Sequence, residues 1–252
     1  MSPVLPSEIE EKFVERLVPG SWAWSLDICA HAQRYRFASR FVPGKRVLDA
    51  GCGAGYGSRM LACLGASEVI GVDISEDALS VARSQFAHPR VKFIQDDCEL
   101  LQSVRGTFDV VVCLENLEHL NRPEQFLARA AEVLHRNGIL ICSTPQSLGG
   151  SRRSENPYHI REYAIEEFQE LLQQYFSNVV ISGQDITATA RAIHALWTNP
   201  FVRIGRWLQE LRGRKVPSPN TLELPLTEGD FVISEFNIQT ARVLVAVCER
   251  PL

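Results

Sequence analysis

The chain has 252 residues, of which 45% are hydrophobic, and this length suffices for one sizeable α/β domain with a modest insertion. Its net charge of −4 provides no overall positive field that would draw it to nucleic acid. The seven cysteines show no C-x-x-C or paired pattern, residues 1–11 lack the apolar core of a signal peptide, and no apolar run reaches the roughly 20 residues of a membrane helix, so we expect a cytoplasmic protein.

Strands and helices alternate along most of the chain. Two helices, 7–17 and 26–41, are predicted before the first strand. The predicted strands are near-continuous apolar runs, as in a sheet covered on both faces, at 46–50, 68–73, 91–95, 109–114, 138–143, 179–182 and 242–248. Helices between them are predicted at 56–64, 76–86, 123–135 and 165–175. Pro123 is typical of a helix start, and the Asn-Gly pair at 137–138 is typical of a helix end.

The first strand leads into a glycine-rich loop, VLDAGCGAG at 47–55, and the next strand ends in Asp73. Glycines at alternate positions let the main chain turn tightly and bring bare backbone against a ligand. A carboxylate at the end of the following strand can accept hydrogen bonds from both hydroxyls of a ribose. The pattern therefore predicts a nucleoside-binding βαβ unit.

The spacing within this loop indicates which nucleoside it binds. A dinucleotide fingerprint requires G-x-G-x-x-G, so that a pyrophosphate can lie at the helix N-terminus. Here the pattern is D-x-G-x-G-x-G, with an acid inside it at Asp49. An acid repels phosphate but pairs with an amino group, which suits the ammonium of S-adenosylmethionine. A glycine-rich turn in an ordinary α/β protein is the alternative.

Segments 47–57 and 69–73 resemble the first two motifs of class I S-adenosylmethionine-dependent methyltransferases. The resemblance continues through FIQDDC at 93–98, FDVVVCLE at 108–115 and GILICSTP at 138–145, and it covers about residues 34–182 in order. It implies an α/β fold with a doubly wound, seven-stranded, mostly parallel sheet whose last two strands are antiparallel. We expect N-terminal helices at 1–45, a core at 46–187 and 231–252, and between them a helical insertion at 188–230 that covers the substrate.

The same resemblance assigns the cofactor site. Asp73 would bind the ribose, Asp97 would accept from the adenine amino group, and Leu114 would pack under the adenosine or offer its backbone to the methionine end. The alternative for Asp96 and Asp97 is a solvated pair after a strand, and either of the two acids could face the adenine. The predicted cofactor-binding residues are Arg34, Tyr35, Asp49, Gly51, Gly53, Gly55, Asp73, Ile74, Asp97, Cys98 and Leu114.

Arg34 and Tyr35 precede the first strand, where relatives often approach the methionine carboxylate. A surface arginine beside a core tyrosine is an equally good interpretation of this pair.

An E-x-x-E-H run, 115–119, follows the fourth strand, and positions i, i+3 and i+4 of one helical turn share a side. A second histidine, His159, lies in NPYHIREY at 156–163. The run resembles one in the O-methyltransferases of ubiquinone biosynthesis. Two carboxylates and an imidazole so placed could hold Mg²⁺, Mn²⁺ or Fe²⁺ as a second cofactor. With the later histidine the run also resembles the metal site of small-RNA 2′-O-methyltransferases. The implied ligands are Glu115, Glu118, His119 and His159. Without a metal, His119 and His159 are the candidate catalytic residues, as general bases.

The predicted function is therefore methylation of a hydroxyl on a small molecule or a sugar. The alternatives are an RNA 2′-O-methyltransferase with a divalent metal, an N-methyltransferase acting on an amino sugar or small amine, and a binding module without catalysis. The insertion has a basic face, with Arg152 and Arg153 nearby, that would suit an anionic substrate or a membrane surface. An amphipathic helix packed on the core, with a solvated basic face, explains the same residues. The sequence leaves the oligomeric state open.

Overall fold

A computed structural model describes residues 22–147, 158–187, 231–236 and 238–252, with side chains from residue 28 onward. Five α-helices are described, namely α1 (Trp22–Ala38), α2 (Tyr56–Cys63), α3 (Glu76–Gln85), α4 (Pro123–Val133) and α5 (Ile165–Gln173). The strands of the described chain are β1 (Arg46–Ala50), β2 (Glu68–Asp73), β3 (Val91–Gln95), β4 (Phe108–Leu114), β5 (Leu134–Pro145), β6 (Phe176–Ile186), β7 (Phe231–Ser234) and β8 (Val243–Pro251). Short 3₁₀ turns occupy Ser39–Phe41, Leu117–His119 and Ile238–Thr240.

The strands form one sheet in the order β3-β2-β1-β4-β5-β8-β6-β7. β1 to β5 run parallel, whereas β8 is antiparallel to both β5 and β6. β6 therefore points the same way as β5. In consequence the carboxyl ends of β1, β2, β4, β5 and β6 lie at one edge, where open α/β sheets bind their ligands.

The predicted α/β sheet is confirmed, with an antiparallel pair among its last strands, but it has eight strands over the described residues, one more than the predicted seven. The additional strand, β7, pairs with Gly183–Ile186 at the end of β6. β6 extends four residues past the predicted 179–182, and that extension offers the unpaired backbone groups that β7 satisfies. β7 has only four residues, too few to show a strand period in the sequence.

Each face of the sheet is covered by helices. On one face Phe126 of α4 and Phe168 of α5 are fully buried against strand residues such as Leu48. On the other face, Tyr35 of α1 and Leu61 of α2 are buried in a second cluster. Because both faces are dry and closely packed, the strand ends are held rigidly and can position a site.

The observed helix and strand bounds agree with the predicted ones within a few residues. The main exception is β5, which begins at Leu134, so that the Asn-Gly pair lies inside a strand and not after a helix end. α3 begins after Ser75, whose Oγ accepts a hydrogen bond from the Ala78 N–H at 3.3 Å, and Pro123 begins α4. The predicted helix at 7–17, the insertion at 188–230, Arg152 and Arg153 lie outside the described residues. None of the described helices is both long and apolar enough to span a membrane.

Candidate functional site

The glycine loop between β1 and α2 is closed at its ends and open in the middle. Gly51, Gly53 and Gly55 have φ values of 78°, 52° and 86°, a region that side chains rarely adopt. A Cβ at Gly51 would lie 2.5 Å from Asn116, and one at Gly55 would lie 2.6 Å from Ala82. A Cβ at Gly53 would meet no atom within 4 Å. The backbone at Gly53 is therefore the part of the loop that a ligand can approach.

Asp73 lies beside this open position, at the end of β2. Its carboxylate accepts hydrogen bonds from the backbone N–H groups of Gly53 and Ser75, each at 2.9 Å. These two bonds fix the direction of the carboxylate and tie it to the glycine loop. The next residue, Ile74, leaves 63% of its surface exposed, which is unusual for so apolar a side chain. The structure thus brings a fixed acid and an exposed apolar surface together at one edge of the loop.

The two acids that follow β3 accept hydrogen bonds from backbone N–H groups of their own loop. Asp96 accepts from the N–H of Asp97 at 2.9 Å and from that of Ser103 at 2.6 Å, so both of its oxygens are engaged. Asp97 uses one oxygen to accept from the N–H of Glu99 at 2.8 Å. Of the two acids, Asp97 therefore has more capacity left for a ligand.

Two buried side chains, Cys98 after β3 and Leu114 at the end of β4, lie at the carboxyl edge of the sheet. Cys98 is 6% exposed, and burial raises the pKa of its thiol to about 12, so it remains an uncharged, weakly polar surface. Leu114, at the end of β4, is 3% exposed. Both positions are therefore apolar and closed to water, and their role in binding the adenosine stays a prediction.

Asp49 lies in β1, two residues before the first glycine of the loop, and is fully buried. It accepts hydrogen bonds from Tyr35 Oη at 3.0 Å and from Ser58 Oγ at 2.5 Å. Burial raises the pKa of Asp49 to about 6, although the two hydroxyl donors oppose the shift. The carboxylate is thus ionised at neutral pH, and it links α1 and α2 to the end of β1.

Arg34 connects three elements at the carboxyl edge of the sheet. Its Nη2 lies 3.5 Å from Oε2 of Glu115, and its Nη1 donates to Oε1 of Gln184. Its Nε is buried and has no hydrogen-bond partner among the described residues. Glu115 also accepts from Ser143 Oγ at 2.8 Å, so its carboxylate is directed toward Arg34 and Ser143.

The two histidines singled out in the sequence lie against each other. Their ring centroids are 5.0 Å apart at an interplanar angle of 74°. His119 Nδ1 contacts the carbonyl oxygen of Tyr158 at 3.0 Å, and His159 Nδ1 contacts Oε1 of Glu162 at 2.9 Å. Since a carbonyl can only accept, His119 carries its proton on Nδ1, and its Nε2 is a lone-pair nitrogen when the ring is neutral.

Glu118 lies beside the two histidines and is buried. It is 1% exposed and accepts from Thr144 Oγ1 at 3.0 Å. Its backbone carbonyl accepts from the N–H of Ile160 at 2.8 Å and from that of Arg161 at 3.3 Å, which holds the His159 loop in place. Burial, aided by the negative charge of Glu115, raises the pKa of Glu118 well above its ordinary value.

Three of the four predicted metal ligands come together. One ligand atom each from Glu118, His119 and His159 lies within 4.8 Å of the others. Glu115 does not join them, because its carboxylate contacts Ser143 and Arg34. The run bends at this point, since Glu115 has a φ of 50° and Leu117–His119 form a 3₁₀ turn. The α-helical spacing assumed from the sequence therefore does not apply to Glu115.

Three residues of the site are not among those predicted from the sequence. Glu162 orients His159 from three positions away, a spacing visible in the sequence. His31 is hydrogen-bonded through Nδ1 to Tyr56 Oη, and desolvation together with Arg34 lowers its pKa well below the ordinary value. It precedes Arg34 by one helical turn, which is a recognisable signal. Gln184 has no recognisable signal in the sequence, because 150 residues separate it from Arg34.

Comparisons with known proteins agree with this geometry. Residues 47–138 match a family model described as a methyltransferase domain. A probable S-adenosylmethionine-dependent methyltransferase of Mycobacterium tuberculosis (strain CDC 1551 / Oshkosh) is 39% identical over 161 residues, which cover 63% of this chain and 58% of that protein. A mitochondrial ubiquinone biosynthesis O-methyltransferase of Schizosaccharomyces pombe is 42% identical over 106 residues, 40% of this chain and 38% of that protein. The chain thus spans about three fifths of the first relative and less than half of the second.

Solved structures show the same fold at low identity. A Thermotoga maritima protein described as an S-adenosylmethionine-dependent methyltransferase and possible histamine N-methyltransferase superposes with a TM-score of 0.62 at 16% identity, covering 97% of this chain and 95% of that one. The [4+2]-cyclase SpnF superposes with a TM-score of 0.56 at 18% identity, covering 88% of this chain and 82% of that one. These neighbours differ in the reactions that they are named for, so they establish the Rossmann-like architecture and leave the reaction to the residues of the site.

Proposed function

We propose that this chain, whose residues 47–138 match a family model described as a methyltransferase domain, binds S-adenosylmethionine and transfers its methyl group to a hydroxyl oxygen of a small molecule or sugar. The single observation that carries the choice of a hydroxyl is the histidine pair beside β4. His119 is held by the Tyr158 carbonyl with its Nδ1 as donor, so its Nε2 can receive a proton.

The cleft residues fit this cofactor. Open space beside Gly53 would let the ligand approach the backbone of the glycine loop. The fixed carboxylate of Asp73 would accept hydrogen bonds from the ribose hydroxyls. Asp97 would accept from the adenine amino group. The buried Nε of Arg34 would donate to the methionine carboxylate. When bound, the sulfonium supplies a methyl group that is already activated. These residues therefore chiefly have to hold the cofactor so that its methyl group faces the acceptor oxygen.

A hydroxyl is a weak nucleophile until its proton is removed. In our proposal His119 Nε2 accepts that proton as the oxygen attacks. His159, oriented by Glu162 at 2.9 Å, lies 5.0 Å away between ring centroids and would hold the acceptor by a hydrogen bond. The exposed side chain of Tyr158 and that of Ile160 would flank an apolar part of the acceptor.

A divalent cation is a second way to activate the hydroxyl. Glu118, His119 and His159 offer one oxygen and two nitrogens within 4.8 Å of one another, a set that suits Mn²⁺, Fe²⁺ or Mg²⁺ better than a thiolate-preferring ion. In this version the three residues hold the ion, which would bind the acceptor oxygens and lower the pKa of the attacked one. Glu115 is not part of this proposal, because its carboxylate already binds Arg34 and Ser143.

The names of the relatives favour oxygen over the other acceptors, at partial coverage. An RNA acceptor is supported only by the cation-like group, and the net charge of −4 weighs against it. An amine acceptor is named for one structural neighbour, which shares the fold alone. A binding module without transfer would leave the histidine pair without a role.

The test measures S-adenosylhomocysteine formation with three matched acceptors, namely catechol, phenol and aniline. We expect turnover with a hydroxyl acceptor, and a loss of 10²–10⁴-fold in kcat for His119→Ala, the usual contribution of a general base. His135 is exposed and far from the cleft, so His135→Ala is the matched control and should turn over normally. Turnover with aniline alone would refute oxygen as the acceptor. Activity that disappears with a chelator and returns with Mg²⁺ or Mn²⁺ would select the cation version, and activity indifferent to the chelator would remove it.

A further inference from the structure

We propose that Gln184 is a positioning residue, which sets Arg34 for the amino-acid end of the cofactor and couples that end to the pairing of β6 with β7. This inference rests on the proposed function, because it requires S-adenosylmethionine in the cleft. Gln184 lies 150 positions from Arg34 in the chain, and its hydrogen bonds go to Arg34 and Ala30, not to the glycine loop, Asp73 or the histidines.

The contacts of Gln184 are specific at both ends of its amide. The side chain is 4% exposed, its Oε1 accepts from Arg34 Nη1, and its Nε2 donates to the backbone carbonyl of Ala30 at 2.8 Å. An arginine can only donate and a carbonyl can only accept, so the two partners together determine which amide atom is which. One amide therefore holds both the main chain of α1 and the guanidinium that α1 carries.

Arg34 needs such a support because it spans several strands. β5 and β8 lie between β4 and β6, so the ends of β4 and β6 are about 14 Å apart at three strand spacings. Glu115 follows β4 and binds Arg34 at 3.5 Å, and Gln184 binds it from β6. With contacts on both sides, the guanidinium lies across the carboxyl edge of the sheet, and its flexible side chain is held in one arrangement.

The Nε of Arg34 indicates what the arrangement binds. This N–H is buried and has no partner among the residues that the structure describes, and such donors are unfavourable unless an acceptor meets them. Gln184 is neutral, so it holds the guanidinium without cancelling its charge. The guanidinium of Arg34 then presents a positive charge at this edge of the sheet, which complements the carboxylate of a free amino acid.

Gln184 also belongs to the pairing between β6 and β7. In the register, Gln184 lies opposite Ile233 of β7 and opposite Val243 of β8. Any ligand that stabilises the Arg34–Gln184 contact must therefore stabilise this end of β6, and the coupling is reciprocal. Residues 187–230 connect β6 to β7, so the amino-acid end of the cofactor is coupled to the strands from which that segment departs.

The experiment compares two ligands by calorimetry. S-adenosylhomocysteine has the amino-acid end, and 5′-methylthioadenosine is the same kind of nucleoside thioether without it. We expect Gln184→Met to weaken S-adenosylhomocysteine about tenfold, the usual effect of losing a hydrogen bond to a charged group, and to leave 5′-methylthioadenosine within twofold. Gln174→Met, at an exposed glutamine, is the matched control and should bind both ligands normally.

A double-mutant cycle separates positioning from general stability. If Gln184 acts through Arg34, Gln184→Met should have no further effect in an Arg34→Met background. Equal weakening of both ligands, or additive effects in the cycle, would overturn the inference. Failure of the wild-type protein to bind either ligand would instead refute the proposed function.

Hydrogen exchange on the wild-type protein gives an answer even if Gln184→Met does not fold. Saturating S-adenosylhomocysteine should slow amide exchange in Gly183–Ile186 and Phe231–Ser234 more than saturating 5′-methylthioadenosine does. Identical protection by the two ligands would contradict the coupling.

Discussion

Replacing Asp49 by asparagine should stabilise the ligand-free protein at neutral pH. Asp49 is fully buried in β1 and accepts hydrogen bonds from Tyr35 and Ser58. Burial raises its pKa from 3.8 to about 6, with a further contribution from the charge of Asp73. The folded protein therefore carries a buried charge that it would hold more easily as a neutral group.

The sign and size follow from proton linkage. Between about pH 4 and pH 6 the folded state binds more protons at Asp49 than the unfolded state does, so its contribution to the free energy of unfolding falls as pH rises. Above pH 6 the full cost is present. Since one pH unit corresponds to about 1.4 kcal/mol, that cost is about 3 kcal/mol. Asparagine has the same shape and no charge, and the two hydroxyls can rotate to donate or accept.

The assay is urea unfolding of the ligand-free protein from pH 3.5 to pH 8. The stability of Asp49→Asn relative to the wild type should rise by about 3 kcal/mol across this range, while Asp77→Asn, at an exposed position of α3, should show no such trend. A difference that stays constant with pH would show that Asp49 titrates normally and would refute the reasoning. The same variant should bind S-adenosylmethionine more weakly, because the acid expected to favour its ammonium is gone.

Three further substitutions test side-chain packing and an ion pair between the first residues of β1 and β2. Gly57→Ala would place a methyl group against the ring of Tyr35, so the free energy of unfolding measured in urea should fall by about 1–3 kcal/mol, although alanine favours a helix. An increase in stability would contradict the close contact. Tyr163→Phe removes a buried hydroxyl without a partner in the described structure, so the melting temperature should stay the same or rise, and a loss above about 1 kcal/mol would reveal a missing partner. Glu68 accepts a hydrogen bond from Arg46 Nε at 2.7 Å, which lowers the pKa of the Glu68 carboxyl. Glu68→Gln should therefore lower the free energy of unfolding by less than about 1 kcal/mol at pH 7, and this loss should disappear below pH 4 and shrink in 1 M salt. A loss that persists at pH 2.5 would exclude the ion pair as its origin.

The fold could be predicted because its signals are local. The alternating apolar runs, the glycines before α2 and the cap at Ser75 each act within a few residues of themselves. The α/β sheet and the methyltransferase resemblance are both confirmed. The eighth strand was missed because β7 exists only by pairing with the end of β6, and no local pattern shows that pairing.

The candidate site was predicted in part, for a similar reason. His119 and His159 were named from the E-x-x-E-H run and its neighbouring motif, and the structure places their rings 5.0 Å apart. Glu115 was assigned to the same group on the assumption of an α-helical turn, whereas its φ of 50° directs it to Arg34. The metal itself and the division of the chain around 188–230 stay predictions.

The sequence by itself determined which residues form strands and helices, where the main chain turns, and which acid ends the second strand, since these depend on neighbours in the chain. Only the tertiary structure decided which groups share a contact across long separations. Gln184 meets Arg34 because β6 returns parallel to β4 on the far side of β8, and the His159 loop reaches His119 because the carbonyl of Glu118 accepts from its backbone. Such contacts follow from the order of strands in the sheet, which the pairing of all the strands sets together and no single segment encodes.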